Sequence, residues 1–330
     1  MSYISLPKIE LHIHLDCSLS YNVVKKLRPE TTIQDYNQNF KAGKSCSSLK
    51  HYIKCADNAI SLMQTKESLE LVMEDFFDQL IKDNVIYCEI RFAPLLHIEE
   101  SLSSSEVVDI LCNKMNTLSK ETGIITGLIL CTLRHYSESQ SMETVKLVNE
   151  FYDHGVVGFD LAADEAGYPL DHHISAFEYA HKHKLNCTAH AGEAKGAESV
   201  WETINKLKTK RIGHGVRSIE DDKLIDYLIE NDYHLEVCPT SNIKTKTFES
   251  LKEHPIDKLF KRNVSLSINS DGRTISDVNL NEEYHKLSDL FGWSIKQIMQ
   301  CNFNAIDHAF TSNINKVFLR QKINRAYKAL

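Results

Sequence analysis

Eight short apolar runs alternate with helical segments along most of the 330-residue chain. Each run is nearly continuous in apolar residues, which is the pattern of strands whose two faces are both covered. Between the runs, apolar residues recur with helical spacing, which predicts repeated β-α units and a parallel sheet. We therefore expect an α/β fold, a (β/α)8 TIM barrel, with strands at residues 6–15, 85–94, 125–134, 156–162, 186–193, 211–215, 234–239 and 264–269.

Two segments extend this predicted barrel beyond the typical length of about 250 residues. Residues 18–84 form an insertion after strand 1, with predicted helices at 21–27, 48–63 and 66–82, and more helices follow strand 8. Long insertions of this kind often form lids or pocket walls. No linker or low-complexity tract divides the sequence, so we expect residues 1–330 to form one domain.

Charge and cysteine usage narrow the classes of function. The formal net charge is −7, which argues against a nucleic-acid or anionic-membrane surface, because both need a clustered basic face. A small-molecule substrate fits this balance. No basic leader with an apolar core is present, and no apolar run approaches the roughly 18 residues of a spanning helix. Nine cysteines without a Cys-x-x-Cys pair indicate a reducing cytoplasm.

The first strand carries two histidines two residues apart. In an extended strand His12, His14 and Asp16 lie on one face, while Ile13 and Leu15 lie on the other. Two imidazoles at this spacing can reach one ion, and imidazole nitrogen suits zinc and related divalent metals. Taken alone, the pattern fits equally well two histidines that are only hydrogen-bonded at a strand end.

Further titratable residues follow the later strands, at the ends where barrel enzymes place their functional groups. In this interpretation His190 supplies a third imidazole and Asp271 a carboxylate oxygen, with a position left open for water, as in catalytic zinc sites. Glu193 is placed beside the metal to donate a proton to a substrate nitrogen. His214, between two glycines, orients the attacking water or stabilises charge on it.

Each of these residues also has a structural interpretation. A single histidine such as His214 is more often part of a core, and a single aspartate such as Asp271 is more often a helix cap. Asp160 lies near the end of strand 4 and Asp164 just after it, and both fit loop-capping carboxylates equally well. The joint placement of the whole set at strand ends favours a catalytic site.

Six motifs, at residues 7–16, 158–165, 190–193, 211–215, 235–242 and 268–271, span nearly the whole chain. In order and spacing they resemble the adenosine deaminase family of the amidohydrolase superfamily, and its bacterial branch most of all. The resemblance implies an aminohydrolase of purine salvage and nucleotide metabolism. Its expected reaction converts adenosine or 2′-deoxyadenosine and water to inosine or 2′-deoxyinosine and ammonia.

The resemblance also implies roles for individual residues. One Zn²⁺ per chain is expected to be held by His12, His14, His190 and Asp271. Glu193 is expected to protonate the purine N1, while His214 and Asp271 position and deprotonate the water that attacks C6. The expected substrate-binding residues are His14, Asp16 and Ala163, with Asp16 at a ribose hydroxyl and the Ala163 N–H at the purine N3.

Three positions depart from the family pattern. Cys17 and Ala163 stand where most members have glycine, and we expect a narrower ribose end and a tighter fit at the purine. Gly272 stands where animal members have an aspartate that is thought to contact the purine N7. These departures bear on the choice of substrate more than on the reaction.

Two other classes of metal enzyme fit less well. Zinc deaminases of the cytidine type need His-x-Glu and a later Pro-Cys-x-x-Cys, and residues 97–99 match only the first half. A binuclear amidohydrolase normally has a bridging lysine or glutamate at strand 4, where this chain has no lysine. The remaining alternatives are deamination of another 6-aminopurine, such as adenine or aminodeoxyfutalosine, and a non-catalytic nucleoside-binding protein.

Overall fold

Eight parallel strands form one sheet, in chain order, in the computed structural model, which describes residues 3–43 and 46–328. Each predicted apolar run corresponds to one strand, so the prediction of a (β/α)8 TIM barrel is confirmed. The strands are Lys8–His14 (β1), Val85–Phe92 (β2), Ile125–Leu133 (β3), Val156–Ala162 (β4), Cys187–Ala191 (β5), Arg211–His214 (β6), His234–Val237 (β7) and Ser265–Ile268 (β8).

The barrel closes between β8 and β1 through a short seam and not through a regular ladder. Ile13 and Asp271 form an isolated parallel bridge. The His14 N–H donates to the Asp271 carbonyl at 2.8 Å, and the Asp271 N–H donates to the His12 carbonyl at 3.1 Å. The side-chain carbonyl of Asn269 accepts the His12 N–H at 3.1 Å. Three of the four predicted metal ligands therefore lie at the seam.

Helices cover the outside and the ends of the barrel. In the described residues they are Tyr21–Leu27 (α1), Ile33–Asn39 (α2), Leu49–Lys54 (α3), Asp57–Ile60 (α4), Lys66–Lys82 (α5), Ser104–Thr122 (α6), Glu138–Phe151 (α7), Ile174–Lys182 (α8), Ala197–Leu207 (α9), Asp222–Glu230 (α10), Pro239–Lys244 (α11), Ile256–Lys261 (α12), Arg273–Ser276 (α13), Leu280–Phe291 (α14), Ile295–His308 (α15) and Asn313–Lys328 (α16). None of those found in this part of the chain has the length and apolarity to cross a membrane.

The insertion after β1 is helical, as predicted, with two differences. The predicted helix at 48–63 is two short helices, α3 and α4, because the chain tightens between them: the Cys55 and Ala56 N–H groups bond to carbonyls three residues back. The apolar pattern does not predict α2. Its start is marked instead by a capping box of Thr32 and Asp35, a polar signal that apolar spacing does not contain.

Charged side chains fill part of the barrel interior. Arg91 lies between Asp160, at 2.9 Å, and Glu236. Arg211 contacts both Glu236 and Glu89 at 2.6 Å. Burial raises the pKa of Glu236, but the Arg211 and Arg91 guanidinium groups outweigh burial and hold it well below its ordinary value. The carboxylate of Glu236 therefore stays ionised in the centre of the barrel, and its charge is compensated there.

We predict that Arg91→Met lowers the free energy of unfolding by about 3 to 5 kcal/mol, because it leaves the buried carboxylate of Asp160 without its guanidinium and that of Glu236 with Arg211 alone. Arg262→Met is the matched control, since Arg262 contacts Asp222 and Asp226 on the exposed surface. Exposed pairs of this kind contribute far less than buried ones, because water and salt screen them. Urea unfolding of both variants checks the prediction, and equal losses would contradict it.

Candidate metal centre and active site

A pocket with about 650 Å³ of empty space, part of which is open to solvent, lies at the C-terminal ends of the strands. One part of its apolar wall comes from the insertion after β1, so this insertion forms a pocket wall as predicted. The residues of that wall include Leu49, Tyr52, Ile53, Ala56 and Ile60. The polar side of the pocket gathers residues from the ends of four strands, β1, β5, β6 and β8, which are His14, Asp16, His190, Glu193, His214 and Asp271.

Three imidazoles meet at the base of this pocket. The candidate ligand atoms of His12, His14 and His190 all lie within 4.8 Å of one another, and the Nε2 atoms of His14 and His190 are 3.3 Å apart. One carboxylate oxygen of Asp271 lies 3.6 Å from His12 Nε2 and 3.5 Å from His14 Nε2. The structure thus brings all four predicted metal ligands together.

The hydrogen bonds behind two of these rings fix the direction in which their lone pairs point. His12 Nδ1 lies 3.0 Å from a Glu236 carboxylate oxygen, and His190 Nδ1 lies 3.2 Å from Asp160. Since an ionised carboxylate only accepts hydrogen bonds, each Nδ1 carries the proton and each Nε2 presents a lone pair to the centre. His12 Nε2 is buried and has no hydrogen-bond partner. This donor set fits a divalent cation.

A second group of possible ligands, His12, His214 and Cys238, also lies within 4.8 Å. Both groups share His12, so among the described residues they describe one centre and not two. Cys238 is fully buried, and burial raises the pKa of its thiol well above the ordinary value. The first group has the better donors, because two of its imidazoles are backed by carboxylates and the Asp271 carboxylate lies beside it.

The acidic residues near the end of β4 have three different roles. Asp160 is the hydrogen-bond partner of His190 and Arg91, so its loop-capping interpretation is wrong. Asp164 is a loop cap, because its carboxylate accepts the Gly167 N–H at 3.0 Å. The third residue, Glu165, binds the loop that follows β5.

Glu165 holds that loop with one buried carboxylate. Its oxygens accept four consecutive backbone N–H groups and the Ser199 hydroxyl. The four donors are Gly192 at 2.7 Å, Glu193 at 3.0 Å, Ala194 at 2.6 Å and Lys195 at 3.0 Å. The backbone of Glu193 is therefore fixed by a charge located on the neighbouring strand-end loop.

The Glu193 side chain is fully enclosed and points across the pocket. One oxygen accepts hydrogen bonds from Thr245 at 3.1 Å and Asn242 at 3.3 Å, and the other lies 3.5 Å from His214 Nε2. Burial, together with the negative charges of Asp271 and Glu165, raises the pKa of Glu193 well above its ordinary value. The group therefore holds a proton near neutral pH, as an acid catalyst must.

His214 ends β6 with a backbone φ of 60°, a conformation that turns its ring into the pocket. Burial, followed by the nearby imidazole of His12, lowers its pKa well below the ordinary value. The ring is therefore neutral. Asp271 lies opposite, also with positive φ, at 63°, and its second oxygen accepts the Ser241 hydroxyl at 2.5 Å.

Asp16 lines the pocket but does not continue the strand. The strand ends at His14, and Leu15–Cys17 form a 3₁₀ turn, so the expectation that Asp16 shares an extended face with both histidines is wrong. Asp16 still lines the same pocket as His14, but it does so from the turn and not from the strand. Its carboxylate lies 3.4 Å from the Ala93 N–H and 3.8 Å from His97 Nε2.

The three departures from the family pattern lie around the same pocket. Cys17 and Ala163 both line it, and Ala163 has a φ of 77°, which explains why glycine suits this position. A Cβ added at Gly272 would lie 2.8 Å from the Cβ of Cys17 and 3.0 Å from the Tyr52 hydroxyl. Cys17 and Tyr52 thus occupy the space that a side chain at 272 would need.

A barrel of this type with a cation-binding cluster facing a protonated carboxyl defines a metal-dependent hydrolase. The family model described as adenosine deaminase matches residues 7–326. An adenosine deaminase of Clostridium acetobutylicum is 37% identical over 328 residues, which cover 97% of this chain and 98% of that protein. The chain belongs to the adenosine deaminase family, and the predicted class of enzyme, a deaminase, is confirmed.

Solved structures agree on the fold. An adenine deaminase from Arthrobacter aurescens has a TM-score of 0.91 at 22% identity, over 98% of this chain and 99% of that chain, and bears on the fold alone. The Arabidopsis protein ADAL, complexed with IMP, has a TM-score of 0.89 at 25% identity, over 100% of this chain and 99% of that chain. The barrel and its terminal extensions are thus shared along the whole length.

We predict that Ala163→Gly raises the free energy of unfolding by about 1 kcal/mol, because a left-handed backbone costs a residue with a Cβ about that much. Gly123→Ala is the matched control: Gly123 has a φ of 73°, and an added Cβ would meet no atom within 4 Å. The control should therefore lose a similar amount. Urea unfolding measures both variants, and destabilisation by Ala163→Gly would show that no strain is stored there.

Proposed function

We propose that this protein catalyses the hydrolytic deamination of adenosine and 2′-deoxyadenosine, in which water and the nucleoside give inosine or 2′-deoxyinosine and ammonia. The observation that carries the proposal is the position of Glu193, a protonated carboxyl that faces the imidazole and Asp271 cluster across one pocket. The family membership of the chain supports the same reaction. Residues 1–330 are proposed to act as one domain.

We assign the cation site to one Zn²⁺ held by His12, His14, His190 and Asp271. Three imidazole nitrogens and a carboxylate oxygen are donors that zinc accepts, and the carboxylates behind His12 and His190 supply the outer support that such sites need. When bound, zinc lowers the pKa of a water molecule towards neutrality. All nine cysteines are free, which supports a reducing, cytoplasmic location.

The residues of the chain divide the proton transfers. Glu193 donates its proton to the purine N1, which makes C6 more susceptible to attack. Asp271 and His214 hold the attacking water on the opposite side, and the water proton passes to Asp271 as the oxygen bonds to C6. Return of that proton to the amino group allows the C6–N bond to break and ammonia to leave. The second water proton leaves the C6 oxygen as the carbonyl forms and passes to Glu193, which restores the acid for the next cycle.

The remaining pocket residues orient the nucleoside. Asp16 accepts a hydrogen bond from a ribose hydroxyl, and the Ala163 N–H donates to the purine N3, while His14 lines the pocket beside the reacting carbon. Among the described residues that line the pocket there is no lysine or arginine, so this lining holds no cationic group that a neutral nucleoside would leave unpaired. The wall formed by α3 and α4 excludes water from the bound purine.

Ultraviolet absorbance and ammonia release from the zinc-loaded protein test the proposal against its alternatives. Adenosine, adenine and aminodeoxyfutalosine are offered separately, and we expect adenosine and 2′-deoxyadenosine to react fastest. Faster reaction of either other purine would assign a different 6-aminopurine as substrate. No turnover of any of them, at confirmed zinc occupancy, would identify a non-catalytic binding protein.

We predict that Glu193→Gln lowers kcat by about 10² to 10⁴-fold, since general acid catalysis contributes this much, and leaves the zinc content unchanged. Glutamine keeps the shape and the hydrogen bonds of the side chain but cannot donate the proton. Steady-state kinetics and elemental analysis measure the two effects. Glu178→Gln, on the exposed side of α8, should match the wild type, whereas loss of zinc from Glu193→Gln would assign Glu193 to the metal shell.

We predict that His12→Ala loses zinc, because the variant removes the nitrogen whose lone pair has no other partner in the structure. The matched control is His183→Ala, since His183 is exposed at the end of α8. Elemental analysis after dialysis against a weak chelator gives the zinc content of each. Full zinc occupancy in His12→Ala would remove this residue from the ligand set.

A further inference from the structure

A chain of buried hydrogen bonds reaches the active site from the loop between β7 and β8. Its outer end is the backbone N–H of Ile256, which lies 3.2 Å from Nδ1 of His254. A backbone N–H can only donate, so Nδ1 of His254 must accept. His254 is buried, and burial lowers its pKa to about 3, so the ring is neutral and its single proton is on Nε2.

The next link is the side-chain amide of Asn242. Nε2 of His254 lies 3.1 Å from Oδ1 of Asn242, and since Nε2 carries the proton, this contact fixes which end of the amide faces His254. The NH₂ group must then point the other way. It lies 3.1 Å from Nδ1 of His214 and 3.3 Å from Oε1 of Glu193.

Both active-site residues receive a defined proton arrangement from this amide. Nδ1 of His214 accepts from Asn242, so the neutral ring carries its proton on Nε2, the nitrogen that faces the pocket. Oε1 of Glu193 accepts from Asn242 and from the Thr245 hydroxyl, at 3.1 Å. The acidic proton of Glu193 is therefore on Oε2, the oxygen on the side of His214.

We propose that His254 and Asn242 are positioning residues that fix these two protons, so that His214 acts in the reaction as a hydrogen-bond donor through Nε2–H and not as the base. This inference rests on the proposed function and refines it. A bond forms between the water oxygen and C6, and one O–H bond of the water breaks. The proton passes to Asp271, because Glu193 already carries a proton and Asp271 does not. Glu193 delivers the proton from Oε2 to N1.

The first test reads the tautomer directly and needs no substrate. Protein labelled with ¹⁵N in its histidines is loaded with zinc, and the His214 signals are assigned by their loss in His214→Gln. We expect Nε2 of His214 to be protonated and Nδ1 to be unprotonated. A proton on Nδ1 in the wild-type protein would overturn the proposal.

Asn242→Asp keeps the shape of the side chain but replaces its donor with an acceptor. In this variant we expect the His214 proton to appear on Nδ1, and kcat for adenosine to fall by about 10 to 100-fold, the usual effect of losing a supporting hydrogen bond. An unchanged His214 tautomer in folded Asn242→Asp protein would contradict the relay. Circular dichroism and zinc content establish that the variant is folded.

Two substitutions at His254, one to phenylalanine and one to glutamine, separate its hydrogen bonds from its packing. His254→Phe retains the ring beside Phe248, whose centroid is 5.2 Å away, but loses both hydrogen bonds. Glutamine at 254 has one acceptor for the Ile256 N–H and one donor for Asn242. We expect kcat to fall by about 10-fold or more in His254→Phe, with KM changed less, and to recover in His254→Gln.

The outcomes separate this inference from the proposed function. Equal kcat in His254→Phe and the wild type, or equal loss in His254→Phe and His254→Gln, would overturn the positioning role. Turnover of adenosine by protein with His214 protonated on Nδ1 would support the proposed function and contradict the positioning role of His254 and Asn242. The predicted tautomer in a zinc-loaded protein that deaminates none of the purines would support the positioning role and contradict the proposed function. His183→Phe, at an exposed histidine, should keep the wild-type kcat.

Discussion

One buried carboxylate links the stability of the barrel to the geometry of its metal centre. Glu236 accepts hydrogen bonds from His12 Nδ1 at 3.0 Å and from Arg211 Nε at 2.6 Å, and it also contacts Arg91. Ions buried in this way are stable only with charged partners in good geometry. The arginines that keep Glu236 ionised thereby keep the proton on His12 Nδ1 and the lone pair on Nε2. The same carboxylate therefore stabilises the charged interior of the barrel and orients a metal ligand at its mouth.

The seam between β8 and β1 also links the closure of the barrel to the geometry of the metal centre, here through the backbone. An isolated bridge between Ile13 and Asp271 closes the sheet beside the metal ligands. Asp271 and His214 both have left-handed backbone conformations. Such conformations cost about 1 to 3 kcal/mol each and persist where the surrounding structure fixes them. At these two positions the strained backbone lies where side chains leave the strand direction and enter the pocket.

The sequence predicts the barrel and the main functional residues for a physical reason: strand periodicity and motif spacing are local. His12, His14, His190, Glu193, His214 and Asp271 were placed at strand ends by that pattern and meet in the structure. Their supporting partners are not local. Glu165 binds a loop at least 27 residues away, and Asn242 contacts Glu193 across 49 residues. The pair Glu89 and Arg91, charged and two apart in an apolar strand, was a signal for the interior network. The 3₁₀ turn at Asp16 and the capping box of α2 carried no apolar signal.

The packing around Gly272 restricts which side chains this part of the pocket can accept. Its Cα lies against Cys17 and the Tyr52 hydroxyl, closely enough that an added Cβ would stand 2.8 Å from one and 3.0 Å from the other. A larger residue at 272 becomes tolerable only once 17 has become small. The side chains that these two distant positions accept are thus coupled, so a change of specificity that needs a larger residue at 272 also needs a change at 17.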